Sequence, residues 1–365
     1  MSLFDKKDKK INMRYNQLGT SGLRVSEICL GAMTFTLDGK NQWGLPCADE
    51  QTAHAIFDRF VELGGNFIDT ADAYSTSEDV IGNWLTSKPQ GFRQSIIIAT
   101  KFRNSMPPHG VNDTGASRKH IFDAVEASLK RLQTNYIDLY QIHAPDETTS
   151  LRETMRALND LVRQGKVHYI GCSNFTSWQI QKANDIAEKE SLEKFVTLQQ
   201  QYSLLCRNIE WDTVDVCRNE GLGILPWSPL AGGWLSGKFD RSTEKPDDDS
   251  RVSWAEKVGW SETSWSTKTV EQTWNVLDQL RAIAKELNVS VAAVALRWVM
   301  QRNGISSTII GARTMEQFNQ NMQAADIHLS DEQMAQLTKA SDTPLPYPFN
   351  VIKTVNQRDN ALKNQ

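Results

Sequence analysis

Residues 66–74, Asn66-Phe-Ile-Asp-Thr-Ala-Asp-Ala-Tyr74, place a carboxylate where an apolar run stops and a phenol five residues later. Phe67 and Ile68 read as the end of a buried strand, Asp69 closes it, and Tyr74 follows in a polar loop with its phenol expected to be exposed. An acid ending a strand beside such a phenol makes sense where the strand belongs to a barrel whose C-terminal rim opens on an active site. In isolation the same residues could be an Asp that caps the next turn and a Tyr on the surface. The surrounding chain decides between the two.

Just upstream, residues 52–63 set Ile56, Phe57, Phe60, Val61 and Leu63 at helical spacing, and Gly64 suits the C-terminal cap. Working outward, helix and strand signals alternate. Strands are expected at 27–31, up to Asp69, and at 95–101, 137–143, 169–173, 197–200, 223–228 and 307–311. Helices are expected at 52–63, 78–85, 119–132, 151–165, 177–188, 212–219, 270–287, 290–300 and 315–325. A last helix starts at Ser330, with Gln333 completing a capping box. A short hairpin over 14–26, turning at Gly19-Thr-Ser-Gly22, precedes the series. Strand–helix alternation implies a parallel sheet. Eight units in one domain favour a closed (β/α)8 TIM barrel of the α/β class over an open doubly wound sheet. The open sheet would be expected to carry GxGxxG after its first strand, and that motif is absent. The expected layout is a tail at 1–12, one barrel domain over 13–345 and an irregular C-terminal tail over 346–365. The long segment 235–269 is polar, contains Asp247-Asp-Asp249, and carries Trp254, Trp260 and Trp265. It is expected to lie as a loop over the barrel mouth.

Composition narrows the class. The chain has 365 residues, 39% hydrophobic and 23% charged, which suits an ordinary globular core. The net charge is −4, with Lys and Arg dispersed and outnumbered by acids, so a nucleic-acid surface is not indicated. No apolar run has the length of a membrane span, and residues 1–10 lack the apolar segment of a signal peptide. Five cysteines, Cys29, Cys47, Cys172, Cys206 and Cys217, are odd in number, widely spaced and without CxxC. That argues against a disulfide framework or zinc site and for a reducing, cytoplasmic setting.

The strand ends collect Gly31, Asp69, Lys101, His143, Ser173 with Asn174, Gln199, Trp227 with Ser228, and Gly311. A carboxylate, a lysine, a histidine and several amides on one rim are more than scattered surface polarity. A phenol has a pKa near 10, and a nearby ammonium lowers it. An aspartate can fix the ammonium, and a histidine opposite can donate to a substrate oxygen. Such a group can polarise a carbonyl and protonate it as a hydride arrives. Side chains supply no hydride, so a cofactor is implied. Trp227 could stack on a nicotinamide, with Asn174, Ser173 and Gln199 at its carboxamide. There is no metal cluster and no Ser–His–Asp ordering.

The ordered motifs IDTADAY, ATK, QIHAPD, GCSNF, Gln199 before QYSLL, PWSPLAGGWLSGK and IIGARTMEQFNQN resemble those of the aldo-keto reductases, over residues 13–341. The resemblance implies an NADPH-dependent carbonyl reductase with Tyr74 as proton donor, Lys101 and Asp69 tuning it, and His143 orienting the carbonyl. It implies a nicotinamide site at Ser173, Asn174, Gln199 and Trp227, with Gly31, Ala32, Met33 and Asp69 adjoining. Ser228, Pro229, Leu230, Ala231, Gly232 and Lys238 would carry the pyrophosphate. Gly311, Arg313, Gln317, Gln320 and Asn321 would hold the adenosine end. Arg313, Lys238 and Arg251 supply positive charge suited to a 2′-phosphate, so NADPH is expected over NADH. Trp43, Tyr74 and His143 would face the substrate. SGLRVS, the tryptophan before SPLA, and Arg251 in a DSR segment also resemble the potassium channel beta subunits, which usually have Asn where His143 stands. The second reading is therefore a nucleotide-sensing regulatory subunit with slow turnover. Loops 34–49, 104–118 and 235–269 would set specificity. Their aromatics Trp43, Trp254, Trp260 and Trp265 imply a partly apolar pocket but name no compound, and oligomeric state stays open.

Overall fold

The structure is a computed structural model that describes residues 11–105 and 109–355. The expected N-terminal tail lies outside the described residues apart from Ile11 and Asn12, whose backbone N–H donates to Asp326 Oδ1 (3.3 Å). Strands β1 (Tyr15–Gln17) and β2 (Arg24–Ser26) form the antiparallel hairpin. Eight parallel strands follow: β3 (Ile28–Gly31), β4 (Phe67–Asp69), β5 (Ile97–Phe102), β6 (Ile137–Ile142), β7 (Val167–Ser173), β8 (Thr197–Gln201), β9 (Gly223–Trp227) and β10 (Thr308–Ile310). The spatial order is β10-β3-β4-β5-β6-β7-β8-β9, and the parallel bridge Ile224–Ile305 links the two ends, so the sheet is a nearly closed barrel.

The helices are α1 (Glu50–Glu62), α2 (Ser77–Thr86), α3 (Arg118–Leu132), α4 (Leu151–Arg163), α5 (Ser177–Glu190), α6 (Thr213–Glu220), α7 (Arg251–Val258), α8 (Trp265–Lys268), α9 (Glu271–Leu287), α10 (Val291–Met300), α11 (Met315–Met322), α12 (Asp331–Ala340) and α13 (Phe349–Val355). Side-chain caps start several of them: Asp49 on α1, Ser117 on α3, Ser150 on α4, Ser290 on α10 and Thr314 on α11. Each such cap contributes roughly 1 kcal/mol.

The strand period of two divides the core. Cys29, Phe67, Ile97, Ala99, Leu139, Leu225 and Ile309 fill the barrel interior, closed from below by Leu18 and Val25 of the hairpin. Their neighbours Ile28, Leu30, Ile68, Ile98, Tyr140 and Ile224 face outward into the larger core against the helices. Alternation carries the inward direction two residues further, to Gly31, Asp69, Lys101, Gln141, Trp227 and Gly311 at the C-terminal rim. The functional rim thus follows from the alternation of side chains along each strand.

Helices α2 and α3 approach closely at Gly82, where an added Cβ would meet the Arg131 carbonyl oxygen at 2.2 Å. Gly82→Ala is expected to cost about 1–3 kcal/mol of stability, read as a lower urea midpoint. An unchanged midpoint would mean that the two helices separate freely.

Three elements depart from the sequence expectation. The 235–269 segment is partly helical, with α7 and α8 inside it. Residues beyond Pro346 form α13, docked where Phe349 meets Trp211 (ring centroids 5.9 Å). Trp265 turns away from the barrel mouth: it stacks on Trp234 at 4.9 Å and packs with Phe239 and Trp274. An apolar cluster under the segment takes that ring.

Candidate active site

Lys101 and Asp69 project inward from neighbouring strands and form a buried ion pair, Nζ to Oδ1 2.5 Å. The Lys101 Nζ also donates to the Thr70 carbonyl (2.8 Å). The other carboxylate oxygen of Asp69 accepts from Gln199 (2.8 Å) and Gln141 (3.3 Å). Burial alone would drive the lysine pKa down, but Asp69 and the nearby Tyr74 outweigh it and leave the group above its ordinary value. Lys101 is therefore a fixed positive charge at the barrel centre.

Tyr74 reaches this pair because the chain after β4 keeps pairing with β5. Thr70 N–H donates to the Ala99 carbonyl (2.9 Å) and Asp72 N–H to the Lys101 carbonyl (3.0 Å). A tight turn, Tyr74 N–H to Ala71 carbonyl (3.1 Å), then brings the phenol back over the rim. The Lys101 Nζ lies 5.0 Å from the Tyr74 ring centroid. The phenol is half-buried at the cavity floor rather than exposed in a loop. Its pKa is corrected accordingly: burial raises it, the Lys101 charge pulls it down, and the net lies above the ordinary phenol value. The sequence reading had the direction of the lysine effect but not the larger burial effect.

His143 follows the end of β6 and faces the phenol, Nε2 to Tyr74 Oη 3.3 Å, with the rings edge to face. Its Nδ1 lies 3.0 Å from Asn104 Nδ2. Burial first, then the charges of Lys101 and Arg103, push its pKa down to about 3, so the imidazole is neutral near pH 7. Asp72, two residues before Tyr74, is a buried acid pushed up to about 8 by burial and by Glu78, so its protonated form predominates at pH 7.

Above these groups opens a cavity of about 610 Å³, within the range of small-molecule sites. Of the residues singled out in the sequence, Gly31, Met33, Trp43, Asp69, Tyr74, His143, Ser173, Asn174, Gln199 and Trp227 line it. So do Ser228, Pro229, Leu230, Gly232, Lys238, Arg251, Gly311, Arg313, Gln317, Gln320 and Asn321. Lys101 lies beneath its floor. Ala32 and Ala231 are buried outside the lining, and their N–H groups are already bonded to the carbonyls of Asp69 and Ser228. Trp254 joins Trp43 across the mouth (ring centroids 6.4 Å), and Trp260 lines the cavity nearby. Asn104 and Asn41 also line it. Sequence reasoning met Asn104 only as the first residue of a loop, and its position after the strand that bears Lys101 was the available signal.

One side of the cavity suits an extended anion. Ser228, Ala231, Gly232 and Gly233 all have positive φ (50°, 49°, 69° and 105°), which curls the backbone into a concave turn after β9. Such turns favour anions. Lys238, Arg251 and Arg313 lie around it, and none makes an ion pair among the described residues. Burial, and the repulsion of Arg313, lower the pKa of Lys238. Glu316, the neighbour that could have neutralised Arg313, instead accepts from Gln320 (3.3 Å). At the opposite wall Asn174 is held by its amide, which donates to the His143 carbonyl (2.9 Å) and accepts from Trp227 Nε1 (3.2 Å). Among the described residues no His, Cys, Asp or Glu cluster could hold a metal, and no helix is long and apolar enough to cross a membrane.

The profile of the aldo/keto reductase family matches residues 27–342. The chain belongs to that family. An uncharacterized oxidoreductase, YrpG, of Bacillus subtilis is 38% identical over 92% of this chain and all of its own length. Norsolorinic acid reductase B of Dothistroma septosporum is 36% identical over 92% of this chain and 82% of its own. The aryl-alcohol dehydrogenase (NADP+) of Phanerodontia chrysosporium is 32% identical over 92% and 86%. This aldo/keto reductase is thus an oxidoreductase that acts on carbonyls.

Proposed function

We propose that this aldo/keto reductase is an NADPH-dependent reductase that reduces the carbonyl of an aldehyde or ketone, reversibly, with Tyr74 as the proton donor. The observation that carries the reading is the convergence of Tyr74 Oη and His143 Nε2, 3.3 Å apart, over the buried Lys101–Asp69 pair. A bound reduced nicotinamide supplies the hydride. A carbonyl oxygen seated between the phenol and the imidazole meets two polar groups where negative charge develops. Tyr74 gives that oxygen its proton, and the Lys101 charge steadies the phenolate left behind. Asp69 holds the ammonium in place.

Support for the dinucleotide comes from the concave turn at 228–233 and from Lys238, Arg251 and Arg313, cations that make no ion pair among the described residues. Serine and amide groups of Ser173, Asn174 and Gln199 adjoin Trp227 and suit a carboxamide-bearing ring. For the substrate, the Trp43–Trp254 pair at the mouth favours a flat aromatic carbonyl. The name of one relative, an aryl-alcohol dehydrogenase, agrees with an aromatic substrate. Loss of nicotinamide absorbance with a panel of aryl and alkyl aldehydes tests the reading. Binding of NADPH with no turnover on any of them would favour the slow regulatory subunit instead.

Arg313→Ala separates the two nicotinamide cofactors. The side chain stands just before the N-terminus of α11, where N–H groups already attract anions. Removing it should weaken NADPH by about 1.5–3 kcal/mol, the worth of a hydrogen bond to a charged group. NADH, which lacks the 2′-phosphate, should bind almost unchanged. Titration by tryptophan fluorescence reads both. Equal weakening of the two would move the NADPH preference to Lys238 and Arg251.

A further inference from the structure

His143 meets the phenol through one ring nitrogen and Asn104 through the other. A neutral imidazole has one N–H, and a bond at one nitrogen settles what the other can do. Asn104 sits in the loop after β5, two residues past the strand end, where Arg103 takes a strained φ of 120°. That turn sets the Asn104 amide nitrogen 3.0 Å from Nδ1. An amide nitrogen only donates, so with the Asn104 amide turned this way Nδ1 accepts and the ring proton sits on Nε2.

We propose that Asn104 is a positioning residue that holds His143 in the Nε2–H tautomer, so that the imidazole donates at the place where the substrate carbonyl oxygen lies beside Tyr74. The proposal rests on the carbonyl-reductase reading of that same site. With the proton on Nδ1, a bare Nε2 lone pair would confront the carbonyl oxygen and repel it. The groups around His143 leave this task to Asn104. Lys101 of β5, Arg103 of the following loop and Tyr74 of the turn after β4 are its charged or titratable neighbours. No carboxylate forms an ion pair with it among the described residues, so none anchors Nδ1 as a donor. Asn174 holds the His143 backbone carbonyl rather than its ring.

Replacing the amide by an acceptor inverts the arrangement. In Asn104→Asp the introduced carboxylate requires a proton on Nδ1 and raises the imidazole pKa. Below that raised pKa both nitrogens carry protons, and Nε2 still donates. Above it the remaining proton stays on Nδ1 and Nε2 becomes an acceptor. The variant should therefore reduce aldehydes well at low pH and lose on the order of 10²-fold in kcat as pH rises, the effect of losing one donor to a developing oxyanion. NADPH affinity should stay within about two-fold, and Asn104→Ala, which only frees the tautomer, should lose less. A residue that merely shaped the loop would shift the level of activity without creating this new pH limb.

Nitrogen-15 NMR of the histidine-labelled wild-type protein, with His143 assigned by comparison with His143→Asn, reads the tautomer directly. Protonated Nε2 and bare Nδ1 are expected. A proton on Nδ1, or an Asn104→Asp profile parallel to wild type, would overturn the proposal. Wild-type protein that reduces no carbonyl but shows the Nε2–H form would sink the functional reading while leaving the hydrogen bond in place, so the two failures are distinguishable.

Discussion

Tyr74→Phe is expected to lower kcat for an aryl aldehyde by about 10²–10⁴, the usual contribution of a positioned general acid. The mutation removes one oxygen and keeps the ring that packs edge-on against His143. NADPH affinity should stay within about two-fold, because the cationic and concave side of the cavity is untouched. Among the described residues Tyr74 has the one phenol lining the cavity; His143 stands beside the carbonyl site but is neutral near pH 7 and a far weaker acid, and Lys101 is buried beneath the floor. Steady-state loss of nicotinamide absorbance gives kcat, and fluorescence titration gives the affinity. Activity within a few-fold of wild type would end the assignment of Tyr74.

Lys101→Met should be the most damaging single change, because it acts on both stability and chemistry. Lys101 is fully buried and Asp69 nearly so. Breaking a buried pair leaves a charge in a poor solvent, at a cost of about 3–5 kcal/mol. Here the donors Gln199 and Gln141 remain on Asp69, which favours the lower end. The phenol would also lose the charge that opposes its burial, and its pKa would climb further. A fall in kcat of about 10² or more is expected. The Asp69→Asn, Lys101→Met double variant separates the effects, since it removes the orphaned charge. Its urea midpoint should recover most of the loss while its activity stays low. Recovery of both would show that the pair only supports the fold.

The barrel was readable because its signal is local and repeated. Apolar residues at helical spacing in α1, α3 and α4 and short apolar runs in the strands do not depend on what lies across the molecule. Side-chain alternation along those strands places Asp69, Lys101 and Trp227 at the C-terminal rim, two residues beyond the interior layer. Which residue types crowd that rim, and so the family, followed from the order of the motifs.

Burial and distance between remote loops were not readable. Trp254 and Trp265 look alike in the sequence, eleven residues apart. Only the packing under the segment sends one to the mouth beside Trp43 and the other against Trp234. Asp69 and Asp72 lie in one motif, yet one is ion-paired and the other is pushed toward its protonated form by burial and a neighbouring acid. The acidity of Tyr74 depends on a balance between desolvation and the Lys101 charge, and its sign is set by how deeply the ring sits. The partner of His143 Nδ1 is Asn104, 39 residues away in the chain. Residue types and their order determined the fold, the rim and the kind of chemistry. The tertiary structure decided which ring faces the cavity, which acid is charged and which nitrogen donates, because solvent exclusion and hydrogen-bond distance exist only once the strands and loops are assembled.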